Sequence, residues 1–279
     1  METDFAFLDS GTGGVPYMLD LKKKSPESRC VYLGDTANFP YGEKSAEQVC
    51  ECAMRAVQKI VSVWNPKVLV IACNTISVGA LSELRKEFPA LPIVGTVPAI
   101  KIAAQKTRNG KIGLLATNAT VENPYSKKLI EDFAKNCEVF MRGDGALVSF
   151  VERELFSSSH EQKIAAVTPA LDFFRQNDCD TIILGCTHFT HVANEIAEAA
   201  GKSICVVDSR DGVANQALRV LKKNHLEQKK SIKCVPQTTE ATIEQPEMKF
   251  FVTRLSSDAE KREYETLCKY YGITFGGLA

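Results

Sequence analysis

The chain has 279 residues, enough for one large or two modest domains, and 34 basic residues balance 34 acidic ones to a formal net charge of +0. That balance argues against a broad nucleic-acid or membrane-surface footprint. No apolar run reaches the roughly 18 residues of a membrane span. The start METDFAF lacks the basic residues and apolar core of a secretion signal, so a cytoplasmic protein with reduced thiols is expected.

Phe5 to Leu8 reads as a short strand that runs into Asp9-Ser10-Gly11-Thr12-Gly13-Gly14. Three glycines around two hydroxyls make a tight turn whose backbone N–H groups can approach an anion. Asp9, at the strand end, needs a partner, either those N–H groups or a ligand. Arg29 to Leu33 reads as a second strand leading to Gly34-Asp35 and then Pro40-Tyr41-Gly42, which would bring an aromatic hydroxyl and a backbone amide to the same sheet edge. Ser45 is placed to cap a helix that reaches Val63, with Glu47 and Gln48 in its first turn.

Val68 to Ala72 is a β-branched apolar run, the pattern of a strand buried on both faces in a parallel sheet. It stops at Cys73, Asn74 and Thr75, and a helical pattern of Val78, Leu81, Leu84 and Phe88 follows. Cys73 is therefore expected at the carboxyl edge of a central strand, where open α/β sheets bind ligands. A helix N-terminus there would lower its pKa. The plain alternative is a buried structural cysteine. Leu91 to Val94 forms another strand.

Lys111 to Ala116 opens a second half, ending in Thr117-Asn118-Ala119-Thr120, and Val139 to Arg142 leads to Gly143-Asp144-Gly145. Thr181 to Thr190 then repeats the earlier pattern, with a β-branched run ending at Cys186, Thr187 and His188. Phe5–Thr12 resembles Ile112–Thr120, Leu33-Gly34-Asp35 resembles Arg142-Gly143-Asp144, and Cys73 matches Cys186, 113 positions on. Offsets this long exclude a solenoid. They predict an α/β protein of two similar βα domains with mainly parallel sheets facing a shared interdomain cleft, divided as 1–97 plus 208–279 and 98–207.

The remaining expectations are a helix from about His191 to Ala200, a strand Ile204 to Val207, a helix Gly212 to Lys223, a last strand Lys249 to Thr253 and a last helix Asp258 to Tyr271 stopped by Gly272. The polar stretch 227–247 has no clear periodicity and reads as a loop or a poorly ordered segment. None of the ten cysteines forms a CxxC pair, so neither a redox motif nor a zinc ribbon is indicated.

Two facing thiols suit proton transfer at carbon: one removes a proton from one face, the other delivers a proton to the opposite face, and the centre inverts. His188 and Asp9 could shuttle or stabilise charge, and Asn74, Thr75 and Thr187 could hold a carboxylate. The rival readings are weaker. Asp-Ser-Gly-Thr resembles the phosphate loop of actin-like ATPases, but no second phosphate motif follows and both cysteines go unexplained. Cys186, His188 and His191 offer no clear same-face metal trio. A non-catalytic two-lobed binding protein leaves the cysteine pair without a purpose.

DSGTGG at Asp9–Gly14, PYG at Pro40–Gly42, ACNT at Ala72–Thr75 and GCTH at Gly185–His188, in this order and over nearly the whole chain, resemble the aspartate/glutamate racemase superfamily, and within it the glutamate racemases. The terminal FFVTRLSSDAEKREYETLCKYYG is similar to the family's final strand and helix. The resemblance implies interconversion of L- and D-glutamate without a cofactor or metal, feeding peptidoglycan synthesis; aspartate or hydantoin racemisation are the neighbouring alternatives. It implies Cys73 as the base acting on D-glutamate and Cys186 as the base acting on L-glutamate, with Asp9 and His188 assisting. Ser10, Pro40, Tyr41, Gly42, Asn74, Thr75, Thr117, Thr120 and Thr187 are implied to contact substrate, and Glu152 to help near His188. A homodimer and activation by a cell-wall precursor are further implications. Binding of DNA gyrase, a second role of some members, gets no support from the neutral charge. Thr12, Pro16-Tyr17, Ile76 and Ala119 depart from the pattern expected of the family.

Overall fold

The computed structural model describes residues 3–231 and 247–279. Ten strands alternate with helices in two parallel sheets. They are β1 (Phe5–Asp9), β2 (Cys30–Gly34), β3 (Val68–Ile71), β4 (Ile93–Gly95), β5 (Lys111–Ala116), β6 (Glu138–Gly143), β7 (Thr181–Leu184), β8 (Cys205–Val207), β9 (Lys249–Val252) and β10 (Thr274–Leu278). The first sheet has the order β10-β9-β2-β1-β3-β4 and the second β6-β5-β7-β8.

The sequence repeat is a repeat of topology. The run β2-β1-β3-β4 has the same connectivity as β6-β5-β7-β8, and all pairings are parallel. The match extends past the strand ends. Ala72 N donates to Leu8 O at 2.8 Å, and Gly185 N donates to Leu115 O at 2.7 Å, so each residue before a cysteine stays zipped to the central strand. Asp35 N to Asp9 O and Asp144 N to Ala116 O complete the parallel at 2.8 and 3.0 Å.

Burial follows the strand period of two. Phe5 and Phe7 of β1, with Val68, Val70 and Ala72, pack on one face of the first sheet under the helices Val15–Lys24 and Arg210–Ser231. Ala6, Leu8, Leu69, Ile71 and Cys73 pack on the other, under the helix Ala46–Trp64. That helix starts with the reciprocal Ser45/Gln48 cap and buries Val49, Cys52, Ala53, Ala56, Val57 and Ile60 along one stripe. Asn65 ends it at φ +41°, a conformation Asn tolerates better than most residues. The second sheet is sandwiched likewise, with Ile182, Leu184 and Cys186 on one face and Ile112, Leu114, Ala116 and Ile183 on the other. Each such fully buried aliphatic or aromatic side chain contributes about 1.5–3 kcal/mol.

Several expectations are corrected. The helix after Cys73 is two helices, Asn74–Gly79 and Leu81–Glu87, broken where Ala80 leaves helical geometry at φ −135°, ψ −8°. The segment after Cys186 begins as a 3-10 turn, Thr187–Val192, and becomes α-helical only at Ala193. The helix expected over Gly212–Lys223 runs from Arg210 to Ser231, so 227–231 are helical rather than loop, and 232–246 lie outside the described residues. β10 is an addition. Its sequence TFGGL forms the edge strand beside β9, with a register irregularity between Phe275 and Gly277. Gly276 belongs there because a Cβ would strike the Phe251 ring. The nine cysteines among the described residues are all free thiols.

Candidate active site

The carboxyl ends of β1, β2, β3, β5 and β7 converge on one small cavity of about 30 Å³, room for a water molecule or two. Its walls include Asp9, Ser10, Pro40, Tyr41, Gly42, Cys73, Asn74, Thr75, Thr117, Cys186, Thr187 and His188. Of the residues expected to contact substrate, only Thr120 does not line it. Thr120 stands behind, accepting at 3.0 Å from the Thr117 hydroxyl. Glu43, Asn118, Gly145 and Val148 also line the cavity. Asn118 and Gly145 belong to strand-end stretches already visible in the repeat, whereas Glu43 and Val148 carry no such signal, because the tertiary fold brings them in. No Lys or Arg occurs among the lining residues, so His188 is the one side chain there able to carry positive charge near neutral pH.

Both thiols are 5% exposed and both line this cavity. Each immediately precedes a helical turn, with extended backbone at φ −146° for Cys73 and −126° for Cys186. The helix start does pull the Cys73 pKa down, through the Ile76 backbone N–H, but it is outweighed. Burial, with Asp9 next to it, holds this thiol well above its ordinary value.

The acid–base partners differ. On the Cys73 side stands Asp9, fully buried, which accepts from Ser10 N at 2.6 Å and from the Thr187 hydroxyl at 2.9 Å. Burial raises its pKa, although His188, Thr187 and Cys73 pull the other way. On the Cys186 side, His188 Nδ1 lies 3.8 Å from the sulfur and Nε2 lies 2.9 Å from Glu152 Oε2. Burial opposes charge on this imidazole, but its bonds to Cys186 and Glu152 outweigh burial and hold His188 well above its ordinary pKa. Glu152 is shifted the opposite way: burial is outweighed by His188 and by Thr12, so the carboxyl sits low. The pair is thus an imidazolium on a carboxylate, with Phe39 packed 5.7 Å from the His188 ring.

The glycine-rich turn has an unanticipated partner. The anion its backbone meets is Glu152, whose Oε2 accepts from Thr12 N at 2.8 Å and from Thr12 Oγ1 at 2.6 Å. A Cβ on Gly11 would lie 2.6 Å from Glu152 Oε2, and one on Gly13 would run into the His188 ring. Both glycines are required by this close approach. Tyr41, expected to face a substrate, donates instead to Asp35 Oδ2 at 2.5 Å. Its neighbour Gly42 leaves room for Thr117, which a Cβ would approach to 2.7 Å. Thr75 and Thr117 link the two sheets' loops through their hydroxyls at 3.1 Å. His191 is turned away from Cys186: Nε2 meets Thr12 O at 3.0 Å and Nδ1 meets the Tyr271 hydroxyl at 2.8 Å, so it joins no metal trio with Cys186 and His188. Asn74 is 2% exposed, yet neither its Oδ1 nor its Nδ2 has a hydrogen-bond partner among the described residues. Two orphaned polar atoms in a cavity wall are costly unless a ligand satisfies them.

Two thiols on opposite sequence repeats, sharing one cavity with separate acid–base partners, are the groups a two-base proton transfer needs. A family model for Asp/Glu/Hydantoin racemase matches residues 20–217. The chain belongs to this family. It is 39% identical over 216 residues to a glutamate racemase of Treponema pallidum, covering 77% of this chain and 80% of that one. It is 36% identical over 263 residues to a glutamate racemase of Actinobacillus pleuropneumoniae, covering 94% of each. Among solved structures it resembles Escherichia coli glutamate racemase in complex with L-glutamate and the activator UDP-MurNAc-ala, with a TM-score of 0.80 and 29% identity over 99% of this chain and 98% of that one. The activity is that of an amino-acid racemase acting on glutamate. No helix among the described residues is long and apolar enough to cross a membrane.

Proposed function

We propose that Cys73 and Cys186 are the two bases of glutamate racemisation in this chain. The observation that carries the assignment is the placement of both thiols in one cavity, with Asp9 beside one and the His188–Glu152 pair beside the other. With L-glutamate bound, the Cys186 thiolate takes the Cα proton. The Cα–H bonding pair remains on carbon and is delocalised into the adjacent carboxylate. The Cys73 thiol then gives its proton to the opposite face, leaving Cys186 protonated and Cys73 as thiolate. D-glutamate reverses the path. His188 steadies negative charge on Cys186, and Asp9 receives or returns the Cys73 proton between turnovers. General acid–base catalysis of this kind contributes roughly 10²–10⁴-fold for each well-placed group.

The substrate's two carboxylates and ammonium are assigned to Ser10, Asn74, Thr75, Thr117 and Thr187, with the backbone at Pro40, Tyr41 and Gly42 forming the rim. Asn74 supplies a donor and an acceptor that otherwise go unmatched. With no Lys or Arg in the wall, glutamate is held mainly by hydroxyl, amide and backbone donors, and His188 is the lining side chain that can offset negative charge. The lobes are taken as 1–97 with 208–279 and 98–207. Product D-glutamate is assigned to peptidoglycan synthesis, and by analogy with the Escherichia coli relative a cell-wall precursor is the candidate activator. A homodimer is the expected assembly, in the cytoplasm.

The test is proton exchange. With L-glutamate in D₂O and no added cofactor, the Cα proton signal and the optical rotation are both expected to disappear, and Cys73→Ala and Cys186→Ala are each expected to stop racemisation. Persistence of both signals for glutamate, or racemisation that survives either substitution, would refute the assignment.

A further inference from the structure

We propose that Thr12 is a positioning residue for the Cys186 side of the reaction: its hydroxyl and amide reach across from the loop after β1 and clamp the Glu152 carboxylate onto His188. This deepens the two-thiol reading above and rests on it for its catalytic consequence, though not for its geometry.

Every polar atom of Thr12 is committed. The amide and hydroxyl donate to Glu152 Oε2 at 2.8 and 2.6 Å, the same oxygen that His188 Nε2 meets at 2.9 Å. The carbonyl accepts from His191 Nε2 at 3.0 Å and from Val15 N at 3.0 Å. The loop cannot drift, because the Tyr32 hydroxyl donates to Gly11 O and accepts from Gly14 N, both at 2.9 Å. Thr12 is 1% exposed and the Glu152 side chain is 4% exposed, so both ends of the clamp are buried.

Glu152 needs this help. A buried carboxylate with one imidazole partner can be neutralised by taking that partner's proton, which would leave His188 neutral beside Cys186. Two donors on the acceptor oxygen favour the charged pair instead, since bonds to an ionised acceptor are about twice as strong as neutral ones. The remaining titratable neighbours do not do this work. Tyr264 reaches Glu152 Oε1 only at 3.4 Å. Tyr32 faces the loop, and its charged form would only repel Glu152. His191 is held neutral by burial. Asp9 lies on the Cys73 side and adds attraction to His188 from there.

The donors come from the loop after β1 in the six-stranded sheet, and the acceptor from the helix Gly145–Arg153, which packs beside the four-stranded one. The clamp therefore exists only while that loop and that helix meet, which ties charging of the Cys186 arm to closure of the cleft.

The experiment compares Thr12→Val, which keeps the shape and the amide but loses the hydroxyl, with Thr12→Ser, which restores it. Ring-proton NMR of His188 reads the clamp without turnover. Its titration midpoint is expected to fall by about one unit or more in Thr12→Val and to return in Thr12→Ser. In kinetics, kcat/KM is expected to fall roughly ten- to hundred-fold in Thr12→Val, the loss of one bond to a charged group. It must fall equally in both directions because the equilibrium between mirror images is unity. The deuterium isotope effect on kcat is expected to rise with L-[2-²H]glutamate and to fall with D-[2-²H]glutamate, where proton delivery from Cys186 becomes the slower step. An unmoved His188 midpoint in Thr12→Val, or equal losses in the Val and Ser variants, overturns the proposal. If the midpoint moves as expected while the wild type exchanges no Cα proton, the clamp stands and the two-thiol reading falls.

Discussion

His191 offers a direct check on the buried network, because its charge state has an unambiguous effect on stability. Burial pushes its pKa down from 6.5 to about 3, with the Thr12 carbonyl pulling the other way. Tyr271 bonds its other nitrogen, and His188, Glu152 and Arg210 set the surrounding field. A folded-state pKa below the unfolded one means the unfolded chain binds more protons between pH 3 and 6.5. The contribution of His191 is therefore complete above pH 6.5 and is lost as pH falls toward 3. A shift of this size corresponds to roughly 4–5 kcal/mol for a fully shielded imidazole. His191 keeps some solvent contact, so about 2 kcal/mol is the expected figure. His191→Gln retains a donor for Thr12 and an acceptor for Tyr271 but cannot charge. Urea midpoints for both chains, measured from pH 8 down to pH 4, should converge or cross as the wild type loses its advantage. Carboxylates common to both chains cancel in the difference. Parallel curves across that range would refute the placement of His191 as a neutral, buried acceptor and donor.

Asn74→Leu removes two unpaired polar atoms from the cavity wall, and the free protein is expected to gain about 1–2 kcal/mol, read as a higher Tm, while losing glutamate turnover. A fall in Tm would mean that Asn74 has a partner after all. Gly13→Ala places a methyl group against the Thr187 hydroxyl and the His188 ring, both buried, so activity should drop at least a hundred-fold and stability by about 1–3 kcal/mol; near-normal turnover would show that the loops do not meet this closely. Thr187→Val takes away one of the two close donors to the Asp9 carboxylate, which should raise the Asp9 pKa further and move the acid limb of the Cys73-dependent D-to-L reaction to higher pH. An unshifted limb would separate Asp9 from that step.

The sequence by itself determined the two sheets, their repeat and the two thiols. Apolar β-branched runs that end in small polar residues can fold as little else than buried parallel strands with their carboxyl ends exposed to a cleft. Local chemistry also fixed the capped helix after Ser45 and the stop at Gly272. What the sequence could not determine was decided by contacts between residues far apart in the chain. The glycine turn after Asp9 was legible as an anion cradle, but only the packing of one half on the other revealed that its anion is Glu152, 140 positions on. Tyr41 was legible as an aromatic hydroxyl at the cleft, yet its proton goes to Asp35. A helix start was expected to ease Cys73 ionisation, and burial beside Asp9 reversed the sign. The edge strand Thr274–Leu278 and the walls Glu43 and Val148 left no pattern in the chain, because strand pairing at an edge and the lining of a cavity depend on what lies opposite. Spacing along the chain dictates which face a side chain takes. Which group it meets there, and whether that meeting charges or neutralises it, is set by the tertiary fold.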